Sequence, residues 1–182
     1  MTLPNLDRYR LLLPADQFLQ LQHAIAQPLA PALRINTLKI DLELARSTWP
    51  ARYGWQFRAI PFCPSGCQIS GNDQALSQTL EHRNGFYYIQ DAASMLPAEM
   101  FEYPPNDWPL VLDMAASPGG KTTHLVSKIN DRGLVIANDS SSGRIPGLRS
   151  NLHSWGAMSI ALTSYPGEKF GEWFPETFDK VL

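Results

Sequence analysis

Val111-Leu-Asp-Met-Ala-Ala-Ser-Pro-Gly-Gly-Lys-Thr-Thr123 is the stretch around which the 182-residue chain is organised. Its lead-in, Pro109 to Met114, is apolar and β-prone. Small residues and a Pro-Gly-Gly turn follow, and then a segment able to open a helix. Gly119 and Gly120 permit backbone conformations closed to other residues and let a ligand come close to the main chain. The helix after them aims its unpaired N–H groups into the same space. Strand, glycine turn and helix in this order make a loop suited to a nucleotide-like ligand.

Two ligand classes compete for such a loop. A phosphate-binding loop requires Gly-x-x-x-x-Gly-Lys-Ser/Thr. Residues 115–122 read Ala-Ala-Ser-Pro-Gly-Gly-Lys-Thr, so the tail fits, but Ala115 stands in the first glycine's place and Pro118 has no N–H. The rival is an adenosine-type cofactor lying along the strand ends, its ribose gripped by an acidic residue that closes the next strand. Leu134-Val-Ile-Ala-Asn-Asp139 is a buried-strand pattern ending in such a residue. An ordinary strand–turn–helix corner with an incidental lysine is the reading without a ligand, and Asp139 counts against it. The cofactor-contact candidates are Ala115, Ala116, Ser117, Pro118, Gly119, Gly120, Lys121 and Asp139.

Asp113-Met-Ala-Ala-Ser-Pro-Gly-Gly-Lys-Thr122 resembles the cofactor motif of the Nop/Sun family of RNA cytosine-5 methyltransferases. Pro31-Ala-Leu-Arg-Ile-Asn-Thr-Leu-Lys39 and Gly85-Phe-Tyr-Tyr-Ile-Gln-Asp-Ala-Ala-Ser-Met-Leu96 resemble its upstream motifs. Asn138, Asp139, Ser141, Arg144, Leu148 and Asn151 follow its pattern after the loop. The resemblance implies an α/β fold: the N-terminal part of a Rossmann-like methyltransferase domain (90–182), preceded by a small α+β RNA-contacting module (1–89). It implies S-adenosyl-L-methionine as cofactor and RNA, specifically 16S rRNA or the small ribosomal subunit, as partner. Arg34 is then expected to contact RNA or the neighbouring domain, and Lys39 to contact RNA.

The sequence also departs from that family. Gly143, Pro146 and Gly147 fall where the family has uninterrupted helix, so helix is expected to start only near Pro146. Pro166 aligns with an aspartate that would accept from the adenine amino group. Phe178-Asp-Lys-Val-Leu182 reads as the start of a fourth strand, with the family's Asp-Ala-Pro-Cys segment not reached. The family chemistry needs a thiolate to add to cytosine C6, and Cys63 is the one residue to test as a substitute, with nothing beside it to lower its pKa. These 182 residues are therefore expected to be inactive alone and, with Val111 to Met114 poorly covered on one side, poorly stable. The alternative is a non-catalytic RNA-binding or adaptor protein on a degenerate methyltransferase fold. A nucleoside triphosphatase is disfavoured by Ala115 and by the lack of a clear acidic metal strand.

Composition supports a sizeable core, with 44% hydrophobic residues. The net charge of −2 argues against an overall basic field, although residues 1–60 carry seven Lys/Arg against four Asp/Glu. Cys63 and Cys67, without a second Cys or His pair at ligand spacing, make a poor zinc site, and no metal is expected. His23, His82, His124 and His153 read as surface or partly buried residues. No apolar run approaches a membrane span, and a cytoplasmic location is expected.

Along the chain, Asp16 is expected to cap a helix that Pro28 ends, and Leu33 to Ile40 to form a strand. Asp41 to Trp49 reads as a helix closed by Pro50. Tyr53–Phe57, Ala59–Phe62 and Phe86–Ile89 read as strands, and Cys63 to Arg83 as mostly loop. Trp49, Tyr53, Trp55, Phe57, Tyr87 and Tyr88 are candidates for base stacking or, more ordinarily, core packing. A further helix is expected from Gln90 to about Met100. After the cofactor loop come a helix to about Ile129, the Asp139 strand and a third strand at Met158–Thr163, the alternation of a parallel, doubly wound sheet.

Overall fold

The structure, a computed structural model, describes residues 6–71, 75–104 and 106–182. It contains two compact units, divided after Ala30. The first holds helices α1 (Asp7–Arg10) and α2 (Ala15–Ala26). Phe18 is buried, with the Arg10 guanidinium 5.2 Å from its ring centroid. Asp16 does not cap α2: Pro14 holds that position, and Asp16 lies in the first turn, where its charge suits the positive helix end.

The second unit, Pro31–Leu182, contains two four-stranded sheets. The first is built from β1 (Ala32–Ile35), β2 (Trp55–Ile60), β3 (Cys63–Gly71) and β4 (Tyr87–Ile89), with α3 (Leu42–Tyr53) and α4 (Leu80–Arg83) between strands. Its order is β2-β3-β1-β4, with every pair antiparallel. Three expectations are corrected here. Cys63–Gly71 is a strand rather than loop: Cys67 and Ile69 turn inward while Gln68 and Ser70 turn outward, a half-buried alternation that small polar residues disguise. The run from Leu33 stops at Ile35, because the Asn36 carboxamide accepts from the Leu38 amide and bends the chain. Pro50 lies within α3, which Asp41 caps through the amides of Glu43 and Leu44 and which ends at left-handed Gly54. A proline disturbs the turn before it, and the helix runs on after it.

The second sheet contains β5 (Leu110–Asp113), β6 (Leu134–Asn138), β7 (Ile160–Thr163) and β8 (Lys180–Val181). Its order is β7-β6-β5-β8, all parallel. The helices are α5 (Ala92–Glu99), α6 (Gly120–Lys128), α7 (Ile145–Trp155) and α8 (Lys169–Trp173). As expected, α7 starts just before Pro146, which occupies the first turn where its missing N–H costs nothing. The expected gap beside the organising strand is closed along its backbone, while Met114 stays exposed and lines an apolar cavity with Leu112 and Val181. β5 is paired on both sides, Val111, Leu112 and Asp113 are buried, and the amides of Asp179 and Leu182 bond to the Leu110 and Leu112 carbonyls.

The two sheets meet at a polar seam. The Asn36 Nδ2 donates to the Gly85 and Trp155 carbonyls, both at 2.8 Å, tying the first sheet to the end of α7. Gly85 has φ +67°, and a Cβ there would lie 1.9 Å from the Ser154 carbonyl oxygen. Gly85→Ala should therefore destabilise the protein by about 2–3 kcal/mol, the scale of a forced backbone conformation. Urea denaturation measures this, and a cost below about 0.5 kcal/mol, the level of a neutral surface change, would mean the seam yields freely.

Candidate cofactor site

The site begins where β5 ends. Asp113 is buried, and burial raises its carboxyl above the usual range despite a 2.7 Å hydrogen bond from the Thr122 hydroxyl. That bond links the strand end to α6 and sets the mouth of the loop. The Ala116 amide donates to the Asn138 carbonyl at 2.8 Å, registering the loop on β6. Gly119 then turns the chain at φ +111°, closed to most L side chains, and a Cβ there would also crowd Leu148 at 3.2 Å.

Asp139 shapes the loop from the next strand. Its carboxylate accepts from the Ser117 amide at 3.2 Å and the Ser141 amide at 3.0 Å, and pairs with Arg144 Nη1 at 3.1 Å. Burial opposes its ionisation, but these two amides and the guanidinium together hold it below the usual carboxylate range. Arg144 Nη2 donates to the Ser117 carbonyl at 2.6 Å, so Ser117 is held from both ends of its residue. The Pro118 carbonyl accepts from Asn151 Nδ2 at 2.7 Å.

The loop leaves donors over. Among the described residues, no backbone acceptor meets the amides of Gly120, Lys121 and Thr122 at the start of α6. They carry the positive end of the helix dipole. A cavity of about 210 Å³ adjoins them, lined by Tyr88, Gln90, Ser94, Ala115, Ser117 and Lys121, among others. A carboxylate thus lies on one side of Ser117 and an anion-favouring helix end on the other.

The structure thus brings Ala115 to Lys121 and Asp139 together in one corner. Arg34 lies elsewhere than expected of an RNA contact. It is wholly buried, with Nη2 donating to the Gly120 carbonyl at 3.0 Å and to the Thr123 hydroxyl at 2.6 Å, and Nε donating to Gln90 Oε1 at 3.2 Å. Its guanidinium also sits 4.5 Å from the Trp155 ring centroid. The RNA expectation for Arg34 is corrected to the domain contact: a charge without exposed surface cannot meet phosphate, and this one clamps the start of α6. Lys39 is exposed, its ammonium donating to the carbonyls of Asn84 at 2.7 Å and Ser154 at 2.6 Å. Pro166 lies exposed beyond β7, its carbonyl accepting from the Lys169 amide.

Sequence reasoning missed the Asp113–Thr122 lock, although both residues stood in the quoted motif. It also misplaced His124, which is buried with Nε2 2.9 Å from Glu99 Oε1 and 3.9 Å from Cys63 Sγ. Cys63 and Cys67 are both buried, and burial pushes the Cys63 thiol up to about 11. Neither is placed to attack a base. Trp49, Trp55 and Tyr87 are core residues, with Tyr53 and Phe57 packed against them, whereas Tyr88 stands apart. No helix among the described residues is long and apolar enough to cross a membrane.

Comparison with known proteins agrees with this geometry. Residues 3–92 match the family described as the N-terminal domain of 16S rRNA methyltransferase RsmF, and residues 99–182 match the family described as 16S rRNA methyltransferase RsmB/F. The ribosomal RNA small subunit methyltransferase F of Shewanella oneidensis is 42% identical over 171 residues, covering 93% of this chain and 35% of the relative. The protein of that name in Vibrio vulnificus is 38% identical over 158 residues, covering 86% and 33%. The chain thus spans about a third of the length of these curated relatives. Among solved structures, a methyltransferase homolog from Pyrococcus horikoshii superposes with a TM-score of 0.86 at 31% identity, covering 96% of this chain and 56% of that one. The NSun6 protein of the same organism shares the fold, with a TM-score of 0.79 at 19% identity over 91% of this chain and 66% of that one. Matched in order along nearly its whole length, from the antiparallel sheet to the cofactor corner of the parallel one, this chain belongs to the RsmB/F family of 16S rRNA methyltransferases, and its front half is of the RsmF kind.

Proposed function

We propose that this chain is the N-terminal, cofactor-holding portion of an S-adenosyl-L-methionine-dependent methyltransferase acting on cytosine C5 of 16S rRNA. The observation that carries the reading is the corner at Ser117, where unpaired amides of α6 and the Asp139 carboxylate flank one loop. An amino-acid nucleoside has the matching ends, a carboxylate for Gly120 and Lys121 and a ribose for Asp139. A triphosphate would use the same amides but would set its charge against Asp139, with Ala115 and Pro118 in place of residues that a phosphate cradle needs.

Each residue has a role in this scheme. Ala115 to Pro118 shape the floor of the site, Gly119 allows close approach, and Gly120 and Lys121 present their amides. Asp113 and Thr122 fix the loop against β5. When bound, the cofactor supplies an electrophilic methyl group on sulfur. The family chemistry also requires a cysteine to activate the base, and neither buried thiol of these 182 residues is available for that. The segment by itself is therefore expected to bind cofactor without transferring a methyl group. RNA is expected along the exposed basic residues of the front half, Lys39 among them, and we place the boundary between the RNA-contacting module and the methyltransferase domain near residues 89 and 90.

Isothermal calorimetry with S-adenosylmethionine, its demethylated product and magnesium ATP tests the reading. Asp139→Ala should weaken cofactor binding by about 1–3 kcal/mol, the scale for losing a charged hydrogen-bond partner. Binding of magnesium ATP together with no response to either methionine nucleoside would transfer the site to the triphosphate class.

A further inference from the structure

A second polar cavity lies at the seam between the sheets, outside the cofactor corner. Its volume is about 560 Å³, and its walls come from α4, β4 and α7, with Ser77 closing one side. That size falls within the range of small-ligand sites, about 300–1,000 Å³. Among the described residues, no Asp or Glu lines it. Arg83 does, and among the described residues its side chain has neither an acidic partner nor a hydrogen bond. The hydroxyls of Ser77 and Ser150 likewise make no hydrogen bond there. The cavity therefore offers donors and positive charge without the carboxylate that a cationic ligand or a basic peptide would need.

It also offers an aromatic face. Of the aromatic residues that the sequence put forward for base stacking, Tyr87 is sealed in the core, whereas Tyr88 is only partly buried. Tyr88 lies across the Trp155 ring, with centroids 6.4 Å apart in an edge-on arrangement. Tyr88 and Ile89 line both this cavity and the one beside the cofactor loop, and the Tyr88 hydroxyl reaches the Pro118 carbonyl at 3.5 Å. The two cavities share a wall, so a strand lying in one passes next to the other. Lys39 pins the rim by bonding the Asn84 and Ser154 carbonyls on its two sides.

We propose that this cavity is a subsite for one nucleotide of single-stranded RNA, separate from the nucleotide that is methylated, with Arg83 on its phosphate and the Tyr88 ring against its base. Unpaired bases are held in this way, by stacking on aromatic side chains beside a cation that meets the backbone. The subsite rests on RNA being the substrate class proposed above, and it adds where a neighbouring nucleotide is gripped and by which residues.

The test uses the full chain and a short fluorescent single-stranded RNA, with anisotropy read across a salt series and cofactor affinity measured in parallel. Arg83→Glu, and Ser150→Asp, which places a carboxylate in the cavity, should each weaken RNA binding at low salt by roughly tenfold, as expected for like-charge repulsion against one phosphate. Arg83→Ala should lower the slope of log affinity against log salt by about 0.7, the single-strand value for one phosphate contact. Cofactor affinity should not change in any of them, since neither side chain touches the loop. RNA affinities and salt slopes equal to the parent's in all three variants would overturn the subsite, as would a parent chain with no salt-dependent RNA affinity. A parent that binds RNA through this cavity yet fails to bind the methyl donor would uphold the subsite and remove the cofactor reading instead.

Discussion

Replacing Arg34 with alanine should lower the unfolding free energy by about 3–5 kcal/mol, whereas replacing it with methionine should cost less than about 1.5 kcal/mol. Two opposing terms set these outcomes. The guanidinium is fully buried and, among the described residues, forms no ion pair; burial pulls its pKa down to about 9 despite the attraction of nearby Cys63, Tyr88 and Glu99, so the fold works against this charge. Against that stand its bonds to Gly120, Thr123 and Gln90 and its contact with Trp155. Alanine removes those bonds, strands their acceptors and opens a cavity in a packed seam. Methionine also loses the bonds but fills most of the space and removes the buried charge, an exchange that is often near neutral. Chemical denaturation of the three proteins settles the matter. A methionine variant as weak as the alanine variant would show that the charge itself holds the seam together. With the methionine variant stable, its cofactor affinity shows whether the Gly120 carbonyl must be held for the loop to work.

Acidification should unfold the protein early, and His124 should be the main cause. Burial, then the nearby Arg34 charge, pushes its imidazole down to about 3, outweighing the attraction of Glu99, which already pairs with Lys128 at 2.7 Å. Cys63, Glu99, Arg34 and Lys128 are the ionisable groups around it; Glu99, 2.9 Å away through Oε1, favours an imidazolium, but burial and the Arg34 charge outweigh it. Below about pH 6.5 the unfolded chain takes up a proton at this residue that the folded chain refuses, so stability falls as the pH falls, down to the folded value near 3. Two units into that window, near pH 4.5, the loss amounts to about 2–3 kcal/mol. Glu99 acts in the same direction at lower pH. Burial opposes its charge, but Lys128, Cys63 and His124 hold its carboxyl below the usual range, so its contribution is present above the ordinary glutamate value and disappears as pH falls through the folded one. His124→Gln keeps a polar side chain of similar reach and does not titrate. Its stability should vary with pH between 7 and 4.5 by about 2 kcal/mol less than the parent's. Parallel pH profiles for the two proteins would assign the acid sensitivity to other groups.

Much of this molecule was legible in the chain alone. The β5–α6 corner, its Gly119 turn, the Asp139 position and the parallel order that follows all depend on local backbone chemistry. A glycine is needed where φ is positive, a small-residue turn between an apolar strand and a helix leaves amides unpaired, and an acid at a strand end faces the loop beside it. Such features are set within a few residues and can be read there. Cys63–Gly71 could not be read in that way, because its pairing with both β1 and β2 comes from distant segments and its outward face is polar. The destinations of Arg34 and His124 were hidden for the same reason. A basic side chain next to a strand looks solvated until another element covers it, and here α6 and α7 cover Arg34 while α5 and β3 cover His124. Short-range sterics and hydrogen bonding thus placed this strand–turn–helix corner in the sequence. Which charges would be buried, and which arginine would be left facing an open cavity, was decided only when the two sheets closed on one another, since desolvation depends on every neighbour in space rather than on neighbours along the chain.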